Sequence, residues 1–192
     1  EDWWSSLVTA TQICLKEANI SGDAIDAMAY ATTCCTVVAL DKNGAPLRPA
    51  LMWMDVRADK EAEAVLETGD QRLILNGNGQ GPVSAEWMIP KALWLKRNEP
   101  QIFDDAVTIC EYQDYLTMRL TGERCASLNN VGLRWHYANR DGGWASGIVE
   151  KLGMPDLLEK WPSRVAAPGE VVGNLSAAVA AELGLSTQTK LV

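Results

Sequence analysis

Apolar residues recur at three- and four-residue spacing from Trp4 through Leu7, Val8, Thr11, Cys14, Leu15 and Ala18. This is the pattern of a helix buried along one face, with Asp2 placed to cap it. The period then shortens. Ile25 to Ala31 predicts a short strand and Thr36 to Asp41 a β-branched one; the turn Lys42-Asn43-Gly44 follows, and then a further strand at Ala50 to Met54. Asp55 stands to cap a helix running to about Leu66 and ended by Gly69. Ser84 stands to cap another, through Trp87, Lys91, Leu95 and Asn98, with Pro90 just inside it and Pro100 stopping it. Asp114 opens a third helix (Tyr115 to Leu120) closed by Gly122, and Ser176 a fourth (Ala177 to Leu183) closed by Gly184. Asn139 to Gly147 and Ser163 to Gly173 are polar and rich in Gly and Pro, so they predict loops. Helices, strands and a hairpin together define an α/β chain. The first helix has no strand ahead of it to cross over from and no initiating Met precedes it, so missing upstream sequence is expected.

Composition narrows the class. The 192 residues, 47% hydrophobic and 22% charged, suffice for a full core. Lys and Arg number 17 against 25 Asp and Glu, a formal charge of -8 with no basic block, which speaks against nucleic acid and anionic membranes as partners. No apolar run approaches the roughly 20 residues of a membrane span, and the opening residues do not form a signal peptide. The five cysteines (Cys14, Cys34, Cys35, Cys110, Cys125) are odd in number and irregular in spacing, which predicts reduced thiols and a cytoplasmic location. Adjacent Cys34-Cys35 lacks the spacing of a metal knuckle and the only histidine is His136, so no metal site is expected.

Four stretches carry a resemblance. They are Thr36 to Ala58, with Pro46-Leu47-Arg48-Pro49 and Trp53-Met54-Asp55-Val56-Arg57; Ser84-Ala85-Glu86-Trp87-Met88-Ile89-Pro90-Lys91 with Trp94 and Glu99-Pro100; Asp114-Tyr115-Leu116 leading to Leu120-Thr121-Gly122; and Ala126-Ser127-Leu128-Asn129-Asn130 before Trp135. In this order and spacing the chain resembles the N-terminal lobe of the FGGY carbohydrate kinases, with Ser84 to Leu93 and Thr33 to Asp41 similar to the ribulokinase-like branch. That branch tends to place a Lys where this chain has Asn129-Asn130-Val131-Gly132, so the particular sugar stays open.

The resemblance implies an incomplete ribonuclease H-like (actin-like ATPase) α/β domain with added helices and loops. Residues 1–192 would be most of the N-terminal lobe, without its first strands and without the C-terminal ATP-binding lobe. It implies ATP-dependent phosphorylation of an open-chain sugar, a pentulose such as ribulose or xylulose, with ATP and Mg²⁺ held in the complete enzyme. The alternative is a non-catalytic sugar-binding or regulatory module. The family's phosphate loop would precede the first helix and its catalytic Asp would follow Val192, so no catalytic residue is assigned here and the chain alone is expected to be inactive.

What remains is a sugar-side wall. Thr33, Cys34 and Cys35 take the place of family residues that touch the sugar hydroxyls; the other reading is small residues buried in a sheet. Glu86 and Trp87 align with a sugar-contacting position, a carboxylate there being able to accept from vicinal hydroxyls, against a reading as a first-turn charge and a core Trp. Asn130 matches a polar family stretch that loop conformation explains equally well. Lys91 is expected to snorkel along its helix, Asp55 and Asp114 to cap, and His136 to pack. A cut lobe would leave Trp3, Trp4 and Leu7 short of partners, which predicts self-association into a homo-oligomer.

Overall fold

The computed structural model describes residues 2–75 and 83–192. The first helix, α1 (Asp2–Ala18), leads through a short turn at Gly22–Ala24 to β1 (Ala27–Met28), where the longer strand expected at 25–31 shrinks to two residues. Near the C-terminal end, β6 (Gly173–Asn174), α10 (Ala177–Leu183) and β7 (Lys190–Leu191) return to the same place. β7 lies between its partners, parallel to β1 and antiparallel to β6. Ser176 caps α10 through its hydroxyl, which accepts from the Val179 amide, and Gly184 ends it in the left-handed region at φ 73, both as the sequence predicts.

The apolar stripe of α1 is covered from within the chain. Trp4 is buried among Val179, Ala180, Leu183 and Leu191, its indole N–H donates to Glu182 Oε1 at 2.9 Å, and the Arg119 guanidinium lies 4.0 Å above its ring. Trp3 sits with its ring centroid 4.0 Å from that of Tyr112, and Leu7 is half-buried. The exposed Trp3-Trp4-Leu7 patch expected from the sequence is therefore absent, because α10 and α6 (Tyr112–Thr121) supply the partners.

The junction between the two ends of the chain is tight at one glycine. A Cβ on Gly22 would stand 1.8 Å from the Gly184 carbonyl oxygen. Gly22→Ala must push the 22–24 turn off the end of α10, and we expect a loss of about 1–3 kcal/mol, the usual cost of forcing a methyl into packed surroundings. Urea unfolding checks this; an unchanged midpoint would show that the contact yields freely.

The second structural unit centres on β2 (Val37–Leu40), paired antiparallel with β3 (Thr108–Glu111) from Val37 opposite Glu111 to Leu40 opposite Thr108. Every residue of both strands is buried, so neither shows the alternation of a half-exposed strand. Val37, Ala39 and Ile109 face the main core; Val38, Leu40 and Cys110 face α6 (Tyr112–Thr121). The hairpin after β2 is fixed by Asp41, whose Oδ1 accepts from the Asn43 and Ala45 amides at 2.8 Å each. The strand expected at 50–54 reduces to a bridge at Leu51 opposite Val37, with a second bridge upstream at Pro46 opposite Leu40.

The main core is closed by α2 (Asp59–Glu67), α3 (Arg72–Leu75), α4 (Met88–Asn98), α5 (Pro100–Asp105), α7 (Leu128–Arg134), α8 (Ser146–Lys151) and α9 (Leu157–Lys160). Trp135 packs edge-on against Trp144 and Trp161 within it, and those two lie tilted against each other. Beside α7, β4 (Cys125–Ser127) pairs parallel with β5 (Arg164–Ala166), a strand inside the stretch expected to be loop. Among the described residues no helix is long and apolar enough to cross a membrane.

Candidate functional site

Thr33, Cys34, Cys35, Glu86 and Trp87 line one depression of about 450 Å³, together with Thr32, Trp53 and Arg134. Two elements position them. The first is the segment between β1 and β2, where Thr33 is exposed, Cys34 half-buried and Cys35 buried. The second is the start of α4, where Ser84 does not cap the helix as its place in the sequence suggests. Its hydroxyl instead accepts from the Glu86 amide at 3.3 Å in a preceding turn, and Trp87 takes the cap position. Trp87 is held between the Arg134 guanidinium, 5.0 Å above its ring, and the His136 ring at 5.5 Å.

Asn130 is not part of that depression. It is buried on α7, donates through Nδ2 to Gln113 Oε1 at 2.7 Å, and lines a neighbouring cleft of about 480 Å³ with Tyr30, Ser127 and the chain end at Leu191 and Val192. Thr32 lines both hollows, so they adjoin there. Its buried hydroxyl oxygen has no hydrogen-bond partner among the described residues.

The floor of the depression rests on buried charge. Lys91 does not snorkel: it is fully buried, and Nζ donates to the Cys35 carbonyl at 2.7 Å and the Met52 carbonyl at 2.6 Å. Burial holds its pKa below the usual lysine range. On the other side of Cys35, Glu111 Oε1 accepts the Cys35 amide at 3.3 Å. Glu111 is the N-cap of α6 and Asp114 its third residue, in a reciprocal capping box; Asp114 also accepts the Ser127 amide at 3.1 Å. Asp114 is therefore not the N-cap expected of a helix starting at Tyr115: the helix begins at Tyr112, Glu111 takes the cap, and Asp114 supports it from inside the first turn.

Burial pushes Glu111 up to about 8, with the neighbouring Asp114 charge adding to the rise, and Asp114 up to about 7 against the two amides that favour its ionised form. Both ordinary values, 4.5 and 3.8, are lower, so at neutral pH the folded chain retains protons that the unfolded chain has released. That contribution is complete below the ordinary carboxylate range and is lost as pH rises through the raised values. Buried His136, pushed down to about 4 by burial, acts in the opposite sense below its ordinary 6.5. In the window from about pH 6.5 to 8.5 the carboxyls act without it, and stability should fall, by at most about 1.4 kcal/mol per pH unit for each retained proton. Thermal melts across that window test this, and Glu111→Gln should flatten the slope. A melting point that rises with pH would contradict this.

The remaining sequence candidates are structural. Asp55 does not cap α2, which begins at Asp59; it binds the Arg57 amide at 3.0 Å and Arg57 Nε at 2.9 Å, and the Arg57 guanidinium lies 4.8 Å above the Trp94 ring. His136 is packed at φ 55 beside Trp87. Among the described residues no three His, Cys, Asp or Glu side chains converge as metal ligands. Sequence inspection passed over Thr32, Trp53 and Arg134. Trp53 belongs to the Trp-x-Asp-x-Arg stretch already singled out, whereas Arg134, from the far end of α7, has no sequence signal tying it to the site.

The depression offers one carboxylate, the Trp53 indole, the Trp87 indole with the Arg134 guanidinium over it, and small polar groups at a shallow wall. That equipment suits a polyhydroxylated small molecule whose hydroxyls need acceptors and whose C–H faces need flat apolar cover. The fold around it is the ribonuclease H-like, actin-like ATPase type found in sugar kinases: a ligand-bound xylulose kinase from Lactobacillus acidophilus superposes with a TM-score of 0.78 at 21% identity, over 97% of this chain and 36% of that one. The profile of the N-terminal domain of the FGGY family of carbohydrate kinases matches residues 1–192, and the chain belongs to that family. It is 32% identical over 183 residues to a xylulose kinase from Streptomyces coelicolor, covering 90% of this chain and 34% of that protein. It is 30% identical over 207 residues to Ribulokinase 1 from Staphylococcus saprophyticus, covering 99% and 38%. The chain thus spans about a third of the length of the curated relatives it matches.

Proposed function

We propose that these residues are most of the sugar-binding lobe of an ATP-dependent kinase that transfers a γ-phosphate to a hydroxyl of an open-chain sugar, a pentulose such as ribulose or xylulose. The observation that carries this reading is the convergence of Thr33, Cys34, Cys35, Glu86 and Trp87 on one depression, which adjoins at Thr32 the cleft holding Asn130 and the chain end. In this reading Glu86 accepts hydrogen bonds from two neighbouring hydroxyls, Trp53 covers the C–H face, Trp87 with Arg134 stacked on it walls off water, and Thr33 adds a polar contact. Kinase relatives named for xylulose and ribulose support a pentulose, and five free thiols support a cytoplasmic location.

Phosphoryl transfer also needs a proton acceptor and donors for the nucleotide phosphates and Mg²⁺. The raised carboxyls of Glu111 and Asp114 are buried beneath Cys35 and within α6, and this reading gives Glu86 to the sugar hydroxyls. In this reading ATP, Mg²⁺ and the base belong to the rest of the protein. The same gap is what a non-catalytic sugar-binding module would show.

Coupled assays of ADP release over pentuloses, hexuloses and polyols separate the two. The complete protein should show saturable release with a pentulose, and the 192-residue chain none above a no-sugar control. Sugar binding by the complete protein without turnover would establish the module instead, and turnover by the chain alone would overturn the assignment of the nucleotide side to other residues.

A further inference from the structure

Cys34 and Cys35 are adjacent in sequence, and in extended backbone adjacent side chains point to opposite faces. Here they do not. Cys35 sits at φ 64, in the left-handed region that a residue with a Cβ seldom adopts, and the two Sγ atoms lie 3.8 Å apart. Both residues line the same depression. The unusual conformation is held from both sides by buried groups, with the Cys35 amide on Glu111 and its carbonyl on Lys91. Such strain persists only where the surroundings over-determine it, and its concentration at a site lining suggests a use. The other thiols lack this arrangement: Cys14 is exposed on α1, and Cys110 and Cys125 are almost fully buried.

We propose that Cys34 and Cys35 form a paired-thiol site for soft electrophiles that take two sulfurs at one atom, the chemical class being trivalent organoarsenicals. An arsonous group, R–As(OH)₂, condenses with the two thiols: two As–S bonds form, two As–O bonds break, and each thiol proton leaves with a hydroxyl as water. Arsenic remains trivalent and no oxidant is consumed. An inserted arsenic atom bridges sulfurs already held side by side. A direct disulfide must instead draw them to about 2.05 Å while the backbone stays anchored by Lys91 and Glu111, so the pair favours the bridging ligand. Sulfur is the donor such a soft centre prefers, and burial pushes the Cys35 thiol up, so the pair condenses as thiols. This site goes beyond sugar binding and does not depend on it.

Phenylarsine oxide is the probe. At one equivalent, the chain should gain one phenylarsenic adduct by intact mass, with residues 34 and 35 protected from later alkylation and Cys14 still alkylated. 2,3-Dimercaptopropanol should strip the adduct and excess glutathione should not. Cys34→Ser and Cys35→Ser should each lose roughly a hundredfold in affinity, because the second attachment is intramolecular only when both sulfurs are present, whereas Cys14→Ser should change nothing. Cys34 is half-buried, so Cys34→Ser, with its fold checked by circular dichroism, decides the matter even where Cys35→Ser fails to fold. An adduct that forms equally well on folded Cys34→Ser, or no adduct on the parent chain at one equivalent, would overturn the assignment.

Discussion

Lys91→Met should be the most damaging single substitution in the chain, lowering stability by about 3–5 kcal/mol, the range for removing one partner from a buried charged network. The ammonium joins two segments just beyond the point where Val37 and Leu51 exchange backbone hydrogen bonds. One is the Cys35 carbonyl at the entry to β2, and the other is the Met52 carbonyl at the end of the hairpin's return limb. Met fills the same volume, so the apolar packing of α4 against the core survives, and what is lost is the donor. The buried Cys35 carbonyl and the half-buried Met52 carbonyl are then left without it, each a loss of about 1.5–3 kcal/mol for a charged hydrogen bond, partly offset because the ammonium no longer has to be desolvated. For a chain of this length the melting temperature should fall on the order of 10 °C. Thermal and urea unfolding of Lys91→Met measure it. A midpoint within experimental error of the parent would show that water or backbone movement replaces the ammonium, and the preorganised floor beneath Cys35 would lose its main support.

The same residue shows what the sequence could and could not reveal. Lys91 falls on the helical stripe shared by Trp87 and Trp94, where a lysine ordinarily lays its stem along apolar surface and reaches water. Nothing local says that the helix is buried all round at this turn or that two carbonyls wait at the end of the side chain. Those facts come from segments about 40 and 56 residues away. Local signals succeeded where the chemistry is local: Ser176 and Gly184 bound α10, Gly122 closes α6 at φ 82, and Asn43-Gly44 turns the hairpin. They failed for β3, whose Thr-Ile-Cys-Glu is buried on both faces and so has no alternation to detect, and for β4 and β5, three residues each. They failed also where one side chain has two plausible employers. Ser84 and Asp55 both look like helix caps, yet both hold turns that precede the helices.

The candidate site was legible in a different way. Thr33, Cys34, Cys35, Glu86 and Trp87 were joined by resemblance rather than by spacing, since about 50 residues separate the two groups and no periodicity links them. The fold then brings them to one depression, and it parts them from Asn130, whose amide is engaged by Gln113 in the adjoining cleft. Arg134 enters the depression only through tertiary structure, by lying over Trp87.

The central claim, that this depression receives the sugar, is tested most directly at Glu86. In the complete enzyme, Glu86→Gln keeps the shape and one acceptor oxygen but removes the charge that strengthens hydrogen bonds from hydroxyls. A charged hydrogen bond of about 1.5–3 kcal/mol corresponds to roughly a tenfold to hundredfold rise in the sugar KM. The ATP KM should stay within about twofold, because in this account the nucleotide is held elsewhere and loses no contact. Initial rates of parent and Glu86→Gln enzyme, with each substrate varied at saturating levels of the other, give both constants. The account predicts a large rise confined to the sugar; equal changes for both substrates, or none for the sugar, would contradict it.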